Sequence, residues 1–269
     1  MDVARALDDD ARMNHIDRVT ITHIGGPTVL LEIGDLRVLT DPTFDARGRS
    51  YTIPRTGSVI AKLVDPALDV SALGHVDAVL LSHDEHADNL DDAGRALVAT
   101  VPVTYTTSSG ALRLGGTAIG LAPWQTARLG PVTITAVPGR HGPPGCEPLL
   151  GDVIGFVLTW PEQRNGAVYV SGDTVWYDDL AAIGRRFSLG TGIMHIGRVE
   201  RDGTRFTMSA ADASTASRML SLEQIIPVHY DGWQHFSEGA ADARAAFDAA
   251  GLHDRVLWLE PGIATELTA

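Results

Sequence analysis

The run DAVLLS, Asp77 to Ser82, is nearly all apolar, and the HDEHADN that follows is nearly all polar. A short continuous apolar run bounded this way reads as a strand covered on both faces, as in a sheet packed between helices. The next segment, LDDAGRALVA, carries Leu90, Leu97 and Val98 at helical spacing. The polar cluster therefore sits where a buried strand turns towards a helix, the place where open α/β sheets gather their ligands. The same pattern recurs. AVYVSG leads to Asp173 and a helix through VWYDDLAAIG, and GTGIMHIG leads to the helical MSAADASTASRMLS. QIIPVHY ends a strand at His229, AADARAAFDAAG is a helix stopped by Gly251, and VLWLE reads as a last short strand.

The opening is richer in strands. RVTITHI, TVLLEI and LRVLT are separated by Gly25-Gly26-Pro27 and by the hairpin signal Gly34-Asp35. TARLG and PVTITAVP form a second hairpin, after PVTYTT and a short helix in SSGALRLGG. Each half thus opens with strands and continues as strand–loop–helix units. No linker or low-complexity segment divides them, so residues 1–269 are expected to form one domain, with 1–17 as an N-terminal extension. Two loops, Asp41 to Ser58 and Gly142 to Gly151, are expected to shape specificity.

Charge narrows the partners. Lysine and arginine number 21 against 34 aspartate and glutamate, a formal charge of −13, and no local basic patch offsets it. Such a surface repels phosphate backbones and anionic lipid, which argues against nucleic acid or membrane partners and for a small-molecule substrate. A homo-oligomer is compatible with these features. Cys146 is alone, so neither an intrachain disulfide nor a thiolate cluster forms. The acidic N-terminal stretch lacks an apolar h-region and no run is long enough to span a bilayer, so a cytoplasmic protein is expected.

Ten histidines stand out in this otherwise average composition. His83, Glu85, His86 and Asp88 fall together directly after a buried strand. In extended chain His83 and Glu85 share a side; on a helical turn His83 and His86 do. Imidazole and carboxylate together suit zinc, with iron or manganese as alternatives. The competing view is a solvated loop in which Asp88 caps the helix and Asp91 and Asp92 favour its dipole. His141, Asp173 and His229 each have an ordinary explanation alone, as a turn residue, an N-cap and a packed strand end. Together they place His or Asp ligands at further strand ends, which favours a metal centre. His23, His195 and His235 are candidate pocket residues with Tyr230 and Trp233, while His15, His75 and His253 read as surface positions. Asp41, ending LRVLT, could accept a hydrogen bond from a metal-bound histidine.

THIGGPTVLLE with TDP, LLSHDEHADNLD, the strand-end His141, VSGDT and IPVHYDGWQHF occur in this order from Arg18 to about Gly262. In this the chain resembles the metallo-β-lactamase superfamily, in its ascorbate-phosphate-lactonase-like and phospholipase-D-like branch. The resemblance implies an α/β fold, a four-layer αβ/βα sandwich of two mixed sheets with helices outside, and one or two divalent ions at the sheet edges, zinc first. By it, His83 and Asp88 match the first histidine and the aspartate of the HxHxDH motif. His141 matches the third histidine of the first site, Asp173 the bridging carboxylate, His229 the last histidine of the second site, and Asp41 an aspartate behind the ligands. The chain departs from the motif in spacing. His83 to Asp88 is five steps where the motif has four, and Asn89 replaces the closing histidine. The second histidine is therefore Glu85 or the displaced His86, and His86 is preferred because it keeps two imidazoles beside Asp88.

The expected function is hydrolysis of a small ester, lactone or phosphodiester by metal-activated hydroxide, with Asp88 and Asp173 orienting the nucleophile or carrying its proton. The alternatives are an iron-dependent oxidoreductase on the same fold and a catalytically degenerate metal-binding protein.

Overall fold

The computed structural model describes residues 16, 18–53 and 55–267; His15 and nearly all of the expected extension lie outside these. The first half contains β1 (Val19–Gly25), β2 (Thr28–Ile33), β3 (Leu36–Thr40), β4 (Ser50–Thr52), β5 (Val59–Ala61) and β6 (Ala78–Leu80). There follow α1 (Asp92–Val98), β7 (Thr104–Thr107), α2 (Ser108–Leu114) and β8 (Ala118–Leu121). The second half opens with β9 (Thr126–Leu129), β10 (Val132–Pro138), α3 (Glu147–Leu150), β11 (Ile154–Thr159) and β12 (Ala167–Val170). It continues with α4 (Ala181–Arg186), β13 (Leu189–His195), β14 (Glu200–Arg201), β15 (Thr204–Arg205) and α5 (Ala210–Met219). It closes with β16 (Gln224–Val228), α6 (Ala240–Ala249) and β17 (Thr265–Glu266).

Two large mixed sheets result. One has the order β17-β1-β2-β3-β6-β7-β8 and the other β16-β13-β12-β11-β10-β9. Each joins an antiparallel meander to parallel strands: β3, β6, β7 and β8 run parallel in the first, and β12, β13 and β16 in the second. Period-two alternation then sorts the side chains into three apolar layers. Val29, Leu31, Leu80, Ile134, Phe156 and Ile193 meet between the sheets. The intervening residues point outward: Leu30, Leu39 and Val79 pack with Leu90 and Val98, and Val157, Tyr169 and Met194 pack with Ile183, Ala213 and Phe247. Three apolar layers separated by two sheets make the four-layer αβ/βα sandwich. Each fully buried aliphatic side chain contributes about 1.5–3 kcal/mol, so the central and outer layers all add to cohesion. Among the described residues no helix is long and apolar enough to cross a membrane.

Local departures from the sequence reading have physical causes. VLWLE forms no strand beyond an isolated bridge from Val256 to Ile225, and the last strand is β17 instead. The helix expected through VWYDDLAAIG begins only at Asp178, as a 3-10 turn leading into α4, because Thr174 and Val175 are tied to Arg140. Asp91, not Asp88, caps α1, accepting the Gly94 N–H.

Asp91 also anchors the β4–β5 hairpin, which forms within and just beyond the expected Asp41–Ser58 loop. Its Oδ2 accepts the Asp45 N–H and faces the Lys62 ammonium at 3.0 Å, with Lys62 only 4% exposed. The Lys62 ammonium also lies over the Trp233 ring, 5.5 Å from its centroid. Removing one member of a buried ion pair strands the other and typically costs about 3–5 kcal/mol. Lys62→Met is accordingly expected to lower the unfolding free energy by about 3 kcal/mol in urea titration. A loss within about 0.5 kcal/mol, the size of an ordinary surface substitution, would show that the N–H donors alone satisfy Asp91.

Candidate metal centre

Chain segments leaving the C-terminal ends of β6, β10, β12 and β16 converge at the edge between the sheets. They bring together two groups of buried side chains, His83 with His86 and His141, and Asp88 with Asp173 and His229; within each group the candidate ligand atoms lie within 4.8 Å of one another. In the first group, His86 Nδ1 stands 3.1 Å from both His83 Nε2 and His141 Nε2. His141 Nδ1 donates to the Phe206 carbonyl at 2.8 Å, which leaves its Nε2 as a lone pair when the ring is neutral. Burial, reinforced by the neighbouring imidazoles, pushes His83 well below the usual histidine range and His86 down to about 4. Burial likewise holds His141 at about 4, so all three rings are neutral at pH 7. Neutral imidazoles aimed at one point are the donor set a zinc-like ion requires.

The second group is anionic. His229 donates Nδ1–H to the Ile196 carbonyl at 3.0 Å and turns Nε2 towards Asp88 Oδ2 and Asp173 Oδ2, each at 3.3 Å. No hydrogen bond satisfies His229 Nε2, Asp88 Oδ1 or Asp173 Oδ2 among the described residues, although all three are buried. Burial disfavours a charged His229, but the Asp173 and Asp88 carboxylates outweigh it and raise the ring to about 9. For Asp88, burial is outweighed by His235 and His229, and its pKa falls well below the carboxylate range. A proton on His229 thus occupies the place a cation would take, and the orphaned oxygens fit a divalent ion.

Local backbone explains the aim of these groups. His229 adopts a left-handed φ of +62° just after β16, and its N–H donates to the Gly26 carbonyl at 2.8 Å. Gly197 must be glycine here: a Cβ would stand 2.3 Å from the His229 carbonyl oxygen.

The remaining expected residues divide. His235 lines the cavity over the site, and its Nε2 donates to Asp88 Oδ2 at 2.8 Å. Asn89 is within reach of the second group, with Nδ2 3.4 Å from Asp173 Oδ1 and its buried Oδ1 without a hydrogen-bond partner among the described residues. Glu85 is turned away, 2.5 Å from the Arg113 guanidinium that also grips Asp84, so His86 takes the place beside His83. Asp41 touches none of the candidate metal-binding histidines. Its Oδ1 accepts the Ser82 N–H at 2.7 Å and its Oδ2 faces His195 Nε2 at 3.1 Å, so His195 is buried beneath the site and does not line the cavity. His23 binds the Gly26 carbonyl at 3.0 Å and borders a separate small cleft with Trp233. Tyr230 packs against Trp258 in the outer apolar layer. His75 and His253 are exposed, as expected.

Other parts of the site carried little sequence signal. The cavity, about 390 Å³, takes its walls from Ile53 and Ile60 on the β4–β5 hairpin, from Leu150, and from Val199 and Phe206 flanking the β14–β15 hairpin. Strands of two or three residues have too short a period to recognise, and only the turn pair Asp202-Gly203 hints at the second hairpin.

A two-sheet sandwich with His and Asp clusters at its edge defines the class of protein. Residues 36–230 match the profile of the beta-lactamase superfamily domain, and the chain belongs to that superfamily. It is 31% identical over 258 residues to a metal-dependent hydrolase of Pelotomaculum thermopropionicum, covering 92% of this chain and 99% of that protein. Among solved structures, an isothiocyanate hydrolase from Delia radicum gut bacteria superposes with a TM-score of 0.77 at 24% identity, covering 91% of this chain and 98% of that one. A metallo hydrolase of the archaeon Ignicoccus hospitalis gives 0.69 at 20% identity, covering 93% and 98%. These two likenesses concern the fold.

The two groups make opposite demands on protons. An ion at the first meets imidazoles already neutral at pH 7, whereas an ion at the second must displace the proton that His229 keeps up to about pH 9. Calorimetric zinc titrations in buffers of different ionisation enthalpy should therefore show close to zero protons released at the first group and about one at the second. Affinity at the second should rise about tenfold per pH unit between about 7 and 9. Equal proton release at both steps would contradict the assignment.

Proposed function

We propose that the protein is a metal-dependent hydrolase of small ester, lactone or phosphodiester substrates, with one or two ions, zinc first, held by His83, His86 and His141 and by Asp88, Asp173 and His229. The observation that carries this reading is the pairing of a neutral triad with an anionic one, of which His86, His141 and Asp88 border a cavity of about 390 Å³. A divalent ion bound there supplies a Lewis acid that acidifies water and polarises the acceptor oxygen. The chain's own residues supply the rest. His141 is fixed in one tautomer by the Phe206 carbonyl. His235 orients the Asp88 carboxylate through Oδ2, leaving Oδ1 to accept a hydrogen bond from the attacking water and orient it. Asp173 is oriented by Asn89 in the same manner. The apolar side chains of the hairpin walls lower the dielectric beside the floor, which strengthens electrostatic contacts there.

The test is metal analysis with activity. Purified protein should carry zinc, lose hydrolysis on chelation and regain it on zinc addition. His141→Ala should lower metal content, and Asp88→Asn, which removes a candidate ligand and the carboxylate that orients the water, should reduce kcat/KM by about 100-fold or more. Full activity in metal-free protein would overturn the reading.

A further inference from the structure

We propose that the substrate is an uncharged acyl compound, a carboxylic ester or lactone with a hydrocarbon limb, and that phosphodiesters are poor substrates. This rests on the hydrolase reading above. The cavity floor is polar, with His86, Asp88, His141 and His235, but its walls are Ile53, Ile60, Leu150, Val199 and Phe206. An apolar limb is stabilised along such walls by leaving water, and an anion is not.

The rim carries one carboxylate, Glu200, and one guanidinium, Arg201. Glu200 accepts from Arg198 Nε at 3.0 Å. Arg201 donates to the Ser58 hydroxyl, sits 3.7 Å from Asp202 and is 61% exposed. No other lysine or arginine borders the cavity among the described residues. A phosphodiester keeps its negative charge throughout the neutral range. Beyond whatever the metal ligands' cation neutralises, it would meet Asp88, Glu200, aliphatic side chains and one guanidinium, Arg201, which is 61% exposed and not buried as the fixed fork that phosphate recognition favours. An ester or lactone carries no such charge. Thr56, whose hydroxyl accepts the Ser58 N–H and keeps its own proton, is a neutral donor for an ester oxygen at the wall. In the reaction water adds its oxygen to the acyl carbon and the acyl C–O bond breaks. One water proton goes to the leaving alkoxide and the other to solvent, giving alcohol and carboxylate.

The experiment compares p-nitrophenyl acetate, butyrate and hexanoate with bis(p-nitrophenyl) phosphate on zinc-loaded protein. Calorimetric binding of hexanamide and of dibutyl phosphate to the same protein is the second measurement. Each added methylene should raise kcat/KM about fourfold, the equivalent of about 0.8 kcal/mol of apolar burial. Hexanamide should bind more tightly than dibutyl phosphate. Val199→Arg, which adds a cation to the wall, should flatten the acyl series and narrow the gap to the phosphates. A flat acyl series in the unaltered protein, or tighter binding of dibutyl phosphate, would overturn the proposal. Tight hexanamide binding without cleavage of any ester would uphold the apolar, uncharged specificity of the cavity and defeat the hydrolase reading instead.

Discussion

Asp88 and Asp173 bury their carboxylates against a single imidazole nitrogen of His229, and the surrounding structure answers to that concentration of negative charge. Two carboxylates removed from water without compensation would cost several kcal/mol each. A proton on His229 returns one positive charge, and a divalent ion returns two. The donors nearby are arranged to serve the remaining oxygens, His235 towards Asp88 and Asn89 towards Asp173. The first triad shows the complementary condition, three neutral rings with lone pairs and no anion. Burial, reinforced by the neighbouring imidazoles, keeps those rings uncharged, so one desolvated pocket prepares both halves of the centre by opposite routes.

The parts of this arrangement written in local sequence were readable. DAVLLS, AVYVSG and QIIPV announce buried strands through continuous apolar runs, and the residues that follow them, His83, Asp173 and His229, fall in the two groups that the fold assembles. What was not readable depends on contacts far along the chain. Spacing alone left Glu85 and His86 as rivals, and the choice is made by Arg113, 28 positions beyond Glu85, which draws the carboxylate outward. Asp41 was linked to the candidate metal-binding histidines, yet its partner is His195, 154 positions away. Tyr230 follows a candidate ligand in sequence but joins the outer layer, because the left-handed turn at His229 ends the alternation that places Val228 between the sheets.

The support beneath the site shows how the two sheets are locked at this edge. Asp41, which leaves β3 with a left-handed φ of +32°, accepts from Ser82 after β6 and faces His195 at the end of β13. One carboxylate therefore ties three strand ends from both sheets. Burial raises the Asp41 pKa despite the opposing pull of His195, which marks the contact as costly in isolation. Such a residue persists where it fixes geometry that apolar packing cannot specify, here the direction of the chain entering His83.

The substitution of Asn89 for a closing histidine changes the second group in a definite way. An imidazole at that position could add a donor to the ion, whereas the Asn89 amide turns its N–H to Asp173 Oδ1. His235, reaching in from the far side of the cavity, is occupied with Asp88 Oδ2 and is not within the close set formed by Asp88, Asp173 and His229. Each group thus offers three His or Asp donors among the described residues. A four-coordinate ion bound by three protein ligands keeps one position open, which is what separates a catalytic site from a structural one. With the cavity bordered by His86, Asp88, His141 and His235, that open side is the side a substrate would enter.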